Sequence, residues 1–283
     1  MNLRRLLLGT TVFTAFTALV GVVTAASGAG LTCEARWPLC DGAVFGLFPA
    51  NFMSFIEWSH RLVAGITGLL IVGVTALSWY RGESRRIRLA TLLALLLTPL
   101  QIVLGAFTVL VHELVFGYSI LVLTLHFGIA SLILASLVAA TVWAYAEATT
   151  VRLSRVEAAG AIALLGFPLL VATTPRLFVT FGEFVQFSHY AIGFGTFAAL
   201  CVVALWVRET TAEHTGFVTA AAGTAAALVV AQLIVARQAF GDTGQLLILG
   251  LSFAAFLLTM SAVWRIRRID DRPSIRPQSN ADD

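Results

Sequence analysis

The stretch "GYSILVLTLHFGIASLILASLVAATVWAY", residues 117–145, contains no Asp, Glu, Lys or Arg. It is longer than the roughly twenty apolar residues that a helix needs to cross a bilayer. Seven similar runs occur elsewhere: 6–27, 52–79, 87–111, 157–174, 185–207, 216–238 and 245–266. Hydrophobic residues make up 59% of the chain and charged residues 12%, against roughly a quarter charged in soluble domains. We therefore predict an all-α integral membrane protein with eight transmembrane helices.

The distribution of arginine predicts how the chain is oriented. There is no lysine, and all 18 basic residues are arginines. The opposite loops carry few charges, Arg36 and Arg176 among them, whereas twelve arginines cluster at both ends and in alternate connections: Arg4, Arg5, Arg81, Arg85, Arg86, Arg88, Arg152, Arg155, Arg208, Arg265, Arg267 and Arg268. Because cytoplasmic loops are enriched in basic residues, we expect both termini on the cytoplasmic side of a cell membrane and residues 28–50 on the outer side. The basic pI of about 9.1 reflects this topology, so no nucleic-acid binding is expected.

Two of the three cysteines lie in the predicted outer loop, in "TCEARWPLC", residues 32–40. An exoplasmic loop is an oxidising environment, so Cys33 and Cys40 can close into a disulfide. Two cysteines alone are a weak motif, and two interpretations stay open: a structural bridge, and a dithiol/disulfide couple that passes electrons. Cys201 falls within the sixth helix and is interpreted as a small buried hydrophobic residue.

Three of the five histidines fall inside predicted helices, each toward the outer end of an even-numbered one. They are His60, His126 and His189. An ionisable residue at such depth is costly and usually faces the bundle interior. One such histidine can simply hydrogen-bond to a neighbouring helix, but imidazoles that face each other between helices are a common way to hold a heme iron. His112 and His214 lie in or beside loops and are expected to be solvated.

The two halves of the chain repeat each other. "EFVQFSHYAIGFG" around His189 resembles "SFIEWSHRLVAGITG" around His60, and Gln232 matches Gln101. The offsets, 189 − 60 = 129 and 232 − 101 = 131, indicate two pseudo-symmetric four-helix bundles of parallel topology. We expect an N-terminal half, a C-terminal half and a disordered cytoplasmic tail: 1–150, 151–268 and 269–283.

The halves are not chemically equivalent. Glu57 corresponds to Gln186 and Arg61 to Tyr190, so the first half carries the acid. Glu57 precedes His60 by three residues on one helical face, which would bring its carboxyl group to the edge of a heme that His60 ligates. There the carboxylate could accept a proton or stabilise positive charge. The alternatives are an ion pair between Glu57 and Arg61 at the helix end, and an Arg61 that binds a heme propionate.

Together these motifs resemble the heme A synthase family over essentially the whole chain. The resemblance is carried by an outer cysteine pair with "WPLC", a Glu-x-x-His-Arg signature and a histidine in "LTLHFGIASLIL": Cys33, Cys40, Glu57, His60, Arg61 and His126. It implies a membrane oxidoreductase that converts the C8 methyl group of heme O, by successive hydroxylations, into the formyl group of heme A.

The resemblance also implies roles for individual residues. His60 and His126 would hold the substrate heme O, with Glu57 and the cysteine pair acting in catalysis. A heme b in the C-terminal pocket, with His189 as a ligand, would carry electrons. The partners it suggests are the lipid bilayer, heme O synthase, terminal-oxidase assembly factors and a second copy of this chain.

The chain departs from the family at the second heme. In the family, this heme takes one histidine from the sixth helix and another from the eighth. His189 matches the first, but no histidine follows His214. The eighth helix offers only Met260 as a conventional heme ligand, and Met260 lies toward the cytoplasmic end. The sequence therefore predicts a five-coordinate C-terminal heme, an unusual ligand, or no heme at that position.

Two other functions fit part of the pattern. A cytochrome b-type membrane electron carrier that oxidises quinol would explain the histidines but not Glu57 or the cysteine pair. A transporter would explain the parallel repeat, but the sequence has neither interrupted helices nor charges at the membrane midplane. Extraction of heme pigments from cells that supply heme O separates the enzyme from both alternatives.

Overall fold

Eight long helices dominate the fold. The computed structural model describes residues 2–33, 40, 42–44, 48–49, 51–110, 120–175, 177–180, 182–212, 215–237 and 241–270. The helices are α1 (Leu3–Ala26), α2 (Phe52–Tyr80), α3 (Arg85–Leu110), α4 (Ile120–Ala146), α5 (Leu153–Ala172), α6 (Glu183–Trp206), α7 (Gly216–Arg237) and α8 (Gly241–Asp270). Each is long and apolar enough to cross a membrane. The prediction of an all-helical, multi-pass membrane protein with eight spans is confirmed, and the predicted helix ends differ by at most four residues.

The segment between α1 and α2 contains a feature that the hydrophobic pattern did not predict. Strand β1 (Gly42–Val44) pairs antiparallel with strand β2 (Phe48–Pro49). This small hairpin follows Cys40 and leads into α2. The side chain of Asn51 then starts α2, because its Oδ1 accepts a hydrogen bond from the Ser54 N–H at 2.8 Å and so satisfies a free donor of the first turn.

Each half of the chain forms a ring of four helices. In the first half α1 contacts α2, α2 contacts α3, α3 contacts α4, and α4 returns to α1. Helices α5 to α8 make the same circuit. The rings meet where α6 packs against α1 and α4, and there the Phe127 ring lies 5.5 Å from Tyr190 and 5.9 Å from Phe194. An internal pseudo-symmetry that relates the two rings stays a prediction.

Hydroxyl groups join helices inside the N-terminal ring. The hydroxyl oxygens of Thr11 in α1 and Thr141 in α4 lie 2.9 Å apart. Those of Thr17 in α1 and Thr67 in α2 lie 2.6 Å apart. Such contacts are typical of transmembrane bundles, in which small and hydroxyl-bearing residues let helices approach closely. They fix α1 against both helices that carry the predicted heme ligands of the N-terminal half.

Candidate functional site

Glu57 is the centre of a buried hydrogen-bond network at the start of α2. Its side chain is almost completely buried, with the residue only 2% exposed. Oε2 accepts hydrogen bonds from the Cys33 backbone N–H at 2.7 Å and from the Thr32 hydroxyl at 3.1 Å. Oε1 accepts from Arg61 one turn later in the same helix. Three donors from two elements therefore fix the position of this carboxylate.

The ion pair between Glu57 and Arg61, one of the alternatives drawn from the sequence, is present in the structure. The pair lies four residues apart on one face of α2, as the helical repeat requires. The pair is not the only interaction of Glu57, because Thr32 and Cys33 also donate to it. The carboxylate thus joins α2 to the preceding loop, which a simple stabilising pair at a helix end would not do.

Cys33 and Cys40 form a disulfide, which confirms the predicted pairing. Their Cα atoms are 4.8 Å apart, and both residues are buried. The sulfur atoms lie 3.5 Å and 4.0 Å from the Ser54 carbonyl oxygen in the first turn of α2. The bridge therefore holds the loop against the end of α2 that carries Glu57, and the choice between a structural bridge and an electron-carrying couple stays open.

His60 lies one turn beyond Glu57, with its ring against α1. A Cβ atom added at Gly21 would stand only 2.8 Å from the ring carbon Cε1 and 3.2 Å from Nε2, so only glycine leaves room for this ring position. The Nδ1 atom of His60 is buried, and within the described residues it has no hydrogen-bond partner. The imidazole makes a hydrogen bond with the backbone of Thr17, so the ring is held against α1. A histidine in the interior of a helical bundle is a candidate heme ligand.

His126 lies on α4 and faces the same bundle. Its Nε2 is 3.1 Å from the amide nitrogen of Gln101 on α3, and a Cβ atom at Gly105 would lie 3.3 Å from its Cε1. His60 and His126 interact electrostatically. The structure therefore brings together two of the predicted ligands, each with its ring against a glycine of a neighbouring helix.

His189 is fully buried in the C-terminal ring. Its Nδ1 is 2.9 Å from the hydroxyl of Thr173, which also lies 2.8 Å from the Leu169 carbonyl. The hydroxyl has a single hydrogen, so it either donates to the carbonyl and accepts from Nδ1–H, or donates to Nδ1. Both arrangements hold the imidazole in place.

Helix α8 contacts α7 through a buried serine, Ser252. Ser252 donates a hydrogen bond to the Oε1 atom of Gln232 at 2.5 Å, and both residues are buried. Met260 is 45% exposed and so is not directed into the ring. His112 and His214 lie outside the described residues.

Sequence reasoning missed three residues of these networks: Thr32, Thr173 and Ser252. Thr32 precedes Cys33 directly, and Thr173 ends α5, but neither stands in a recognisable motif. Ser252 had only a weak signal in the sequence. It follows Gln232 by 20 residues, and His126 follows the matching glutamine, Gln101, by 25. The contact between Gln232 and Ser252 shows only in the hydrogen bonds between α7 and α8.

Several proteins of known name are similar to this chain. A heme A synthase of Bacillus licheniformis is 36% identical over 134 residues, which are 47% of this chain and 42% of that protein. A heme A synthase of Shouchella clausii is 31% identical over 197 residues, 69% of this chain and 62% of that protein. A protoheme IX farnesyltransferase of Halobacterium salinarum is 42% identical over 90 residues, 32% of this chain and 20% of that protein. In each case the chain spans less than two thirds of the relative's own length.

One known protein family matches the part of the chain that contains most of the N-terminal site. The sequence model described as COX15-CtaA, cytochrome oxidase assembly protein, matches residues 4–174, more than half of the chain. The matched segment contains the disulfide, Glu57, His60 and His126, and the similarity to heme A synthases agrees with the resemblance seen in the sequence. This chain belongs to the COX15-CtaA family of cytochrome oxidase assembly proteins.

Proposed function

We propose that this protein is a heme A synthase, which oxidises the C8 methyl group of heme O to a formyl group. One observation carries the proposal: a buried carboxylate, Glu57, lies one helical turn from His60 in the bundle that also contains His126. A simple electron carrier needs the histidines but not the acid. The similarity to named heme A synthases points to the same reaction.

The substrate heme O is held by His60 and His126 as axial ligands. Both imidazoles belong to one helical ring, His60 on α2 and His126 on α4. Each ring rests where a glycine of a neighbouring helix leaves space, Gly21 for His60 and Gly105 for His126. Helix pairs that present facing histidines are a common frame for axial heme ligation.

Glu57 acts as the proton acceptor. Conversion of a methyl group into a formyl group with an oxygen atom from water releases four protons and four electrons (R–CH3 + H2O → R–CHO + 4 H+ + 4 e−). A carboxylate near that carbon can take up a proton, while an electron acceptor takes the electrons in two-electron steps. The donors of Thr32 and Cys33 hold one carboxylate oxygen, and Arg61 holds the other. An Arg61 that turns to a heme propionate on substrate binding would leave Oε1 able to accept a proton.

The disulfide acts in one of two ways, as a structural bridge or as a redox couple. As a structural bridge, it keeps Cys33 in place so that its N–H reaches Glu57. As a redox couple, it would accept two electrons and two protons and become two thiols. The redox role requires the bridge to lie beside the substrate, and its contact with the first turn of α2 supports that placement.

The finer organisation follows from the same proposal. The N-terminal half, 1–150, carries the reaction; the C-terminal half is 151–268 and the tail 269–283. Both termini are cytoplasmic and the cysteine loop is exoplasmic.

Heme O synthase is a candidate partner, because a segment similar to this chain occurs in a protein named protoheme IX farnesyltransferase. Terminal-oxidase assembly factors and a second copy of the chain complete the partners. Of the heme b ligands that the resemblance implies, this chain retains His189.

Coexpression with a source of heme O tests the function. Membranes that contain this protein should yield heme A on pigment extraction, and membranes that contain the His60→Ala or His126→Ala variant should yield none while the variant is still inserted. Heme A formed equally by both variants would remove the proposed ligands. Bound but unmodified heme in the wild-type protein would favour the cytochrome b-type electron carrier.

A further inference from the structure

We propose that the C-terminal half of this chain binds no heme, because Ser252 stands where the second axial ligand would be. The resemblance to the family assigns a heme b to that half. The residues present do not fit such a group, although those of the N-terminal half do. This inference concerns a different site from the proposed reaction and can fail or succeed independently of it.

The position of Ser252 follows from a repeated hydrogen bond. In the N-terminal half, Gln101 on α3 contacts His126 on α4 at 3.1 Å. In the C-terminal half, Gln232 on α7 contacts Ser252 on α8 at 2.5 Å. Gln101 and Gln232 already correspond in the sequence repeat, so their partners occupy equivalent positions.

The different spacings agree with this equivalence. Nine residues separate α3 from α4, whereas three separate α7 from α8, a difference of 9 − 3 = 6. The spacing from the glutamine to its partner falls from 126 − 101 = 25 to 252 − 232 = 20, a difference of five. The shorter connection thus accounts for the shorter spacing to within one residue, and Ser252 is the counterpart of His126.

A serine at this position cannot replace the imidazole. Heme iron in proteins is held by histidine, cysteine thiolate, methionine or tyrosine, and the Ser252 hydroxyl already donates its hydrogen to Gln232. Met260 lies eight residues further along α8, which is about 12 Å along the helix axis. It is also substantially exposed. Helix α8 therefore supplies no ligand opposite His189.

The packing around His189 is also that of a filled core. Its neighbour Tyr190 is fully buried and donates a hydrogen bond to the Leu233 carbonyl at 2.9 Å. A Cβ atom at Gly193, one turn further along α6, would stand 2.6 Å from the Leu233 side chain. In the N-terminal half, by contrast, the close approaches at Gly21 and Gly105 are made by the imidazole rings themselves. Glycine there makes room for ligands, whereas in the C-terminal half it makes room for core side chains.

Heme content per chain tests the inference directly. The full-length protein, purified after coexpression with a heme O source, is assayed for total heme by the pyridine hemochromogen method. We expect no more than one heme per chain in the wild-type protein and none in the His60→Ala, His126→Ala double variant. Two hemes per chain in the wild type, or one heme retained by the double variant, would overturn the inference.

A variant of His189 gives the complementary measurement. His189→Gln keeps a side-chain amide that can still donate to Thr173, so the core is disturbed little. We expect the same heme content as in the wild type, whereas loss of one heme per chain would refute the inference. Heme A is measured in the same preparations: two hemes per chain together with heme A would reject this inference alone, and one heme without heme A would reject only the proposed reaction.

Discussion

The backbone N–H of Cys33 donates a hydrogen bond to the Glu57 carboxylate at 2.7 Å, while the side chain of Cys33 is bridged to Cys40. One residue thus connects the disulfide to the buried acid. Any movement of the loop that follows reduction of the bridge would displace a donor from Glu57. The cysteine pair and the acid, which the sequence placed 24 residues apart, form one structural unit.

Glu57→Gln should separate binding from catalysis. The amide has nearly the size of the carboxylate but cannot accept a proton, so heme O should still bind while heme A formation falls by about a hundred-fold or more, the usual contribution of a general base. Heme A and heme O are measured by pigment extraction from membranes that contain equal amounts of protein. The matched control is Glu83→Gln, in the connection between α2 and α3, which should synthesise heme A normally. Normal turnover in Glu57→Gln would leave only the ion pair with Arg61 as the role of this residue.

The sequence predicted the helices well because membrane-spanning segments are set by a local property, the length of an apolar run. It predicted His60 and His126 as partners because ionisable residues are rare at that depth. It did not predict that Thr32 contacts Glu57, or that Ser252 contacts Gln232. Those relations depend on which helices and loops become neighbours, and no periodicity within a single helix contains that information.

Thiol labelling should reveal the disulfide and the side of the membrane on which it lies. With a membrane-impermeant reagent on intact cells, Cys33 and Cys40 should stay unlabelled until a reductant is added, and should then react, as the proposed exoplasmic position of the loop requires. A Cys201→Ala background removes the single free thiol of the described residues. Labelling before reduction would contradict the bridge, and no labelling after reduction would count against an outward-facing loop.

Arg86 should stabilise the contact between the two halves. It lies in α3 and pairs with Glu147, which follows α4, at 3.1 Å, and also with Glu209, in the short helix that follows α6. All three side chains are between 25% and 35% exposed, so solvent weakens these pairs. We expect Arg86→Gln to lower the free energy of unfolding by about 1 kcal/mol at low salt.

Salt dependence is the measurement that identifies this effect. Thermal unfolding in detergent is compared at low salt and at about 1 M salt, where the Debye length falls to about 3 Å and the pairs are screened. Arg267→Gln is the control, because Arg267 is 63% exposed and its ion pair with Glu157 lies within the C-terminal ring. Its effect should be smaller. An equal loss of stability at both salt concentrations would show that Arg86 acts through packing and not through its charge.

Gly21→Ala should weaken heme binding without weakening the fold. The added methyl group would lie 2.8 Å from the His60 ring, at the end of a side chain that can move, so the ring rather than the backbone should shift. Alanine also favours a helix over glycine by up to about 1 kcal/mol. We expect the affinity for heme O to fall by about ten-fold, equivalent to about 1.4 kcal/mol, with thermal stability unchanged or higher. Gly9→Ala, on the same helix with open space around its Cβ position, should bind heme O normally. Equal affinities in the two variants would show that the position of the His60 ring does not control heme binding, and would exclude His60 as an axial ligand held against α1.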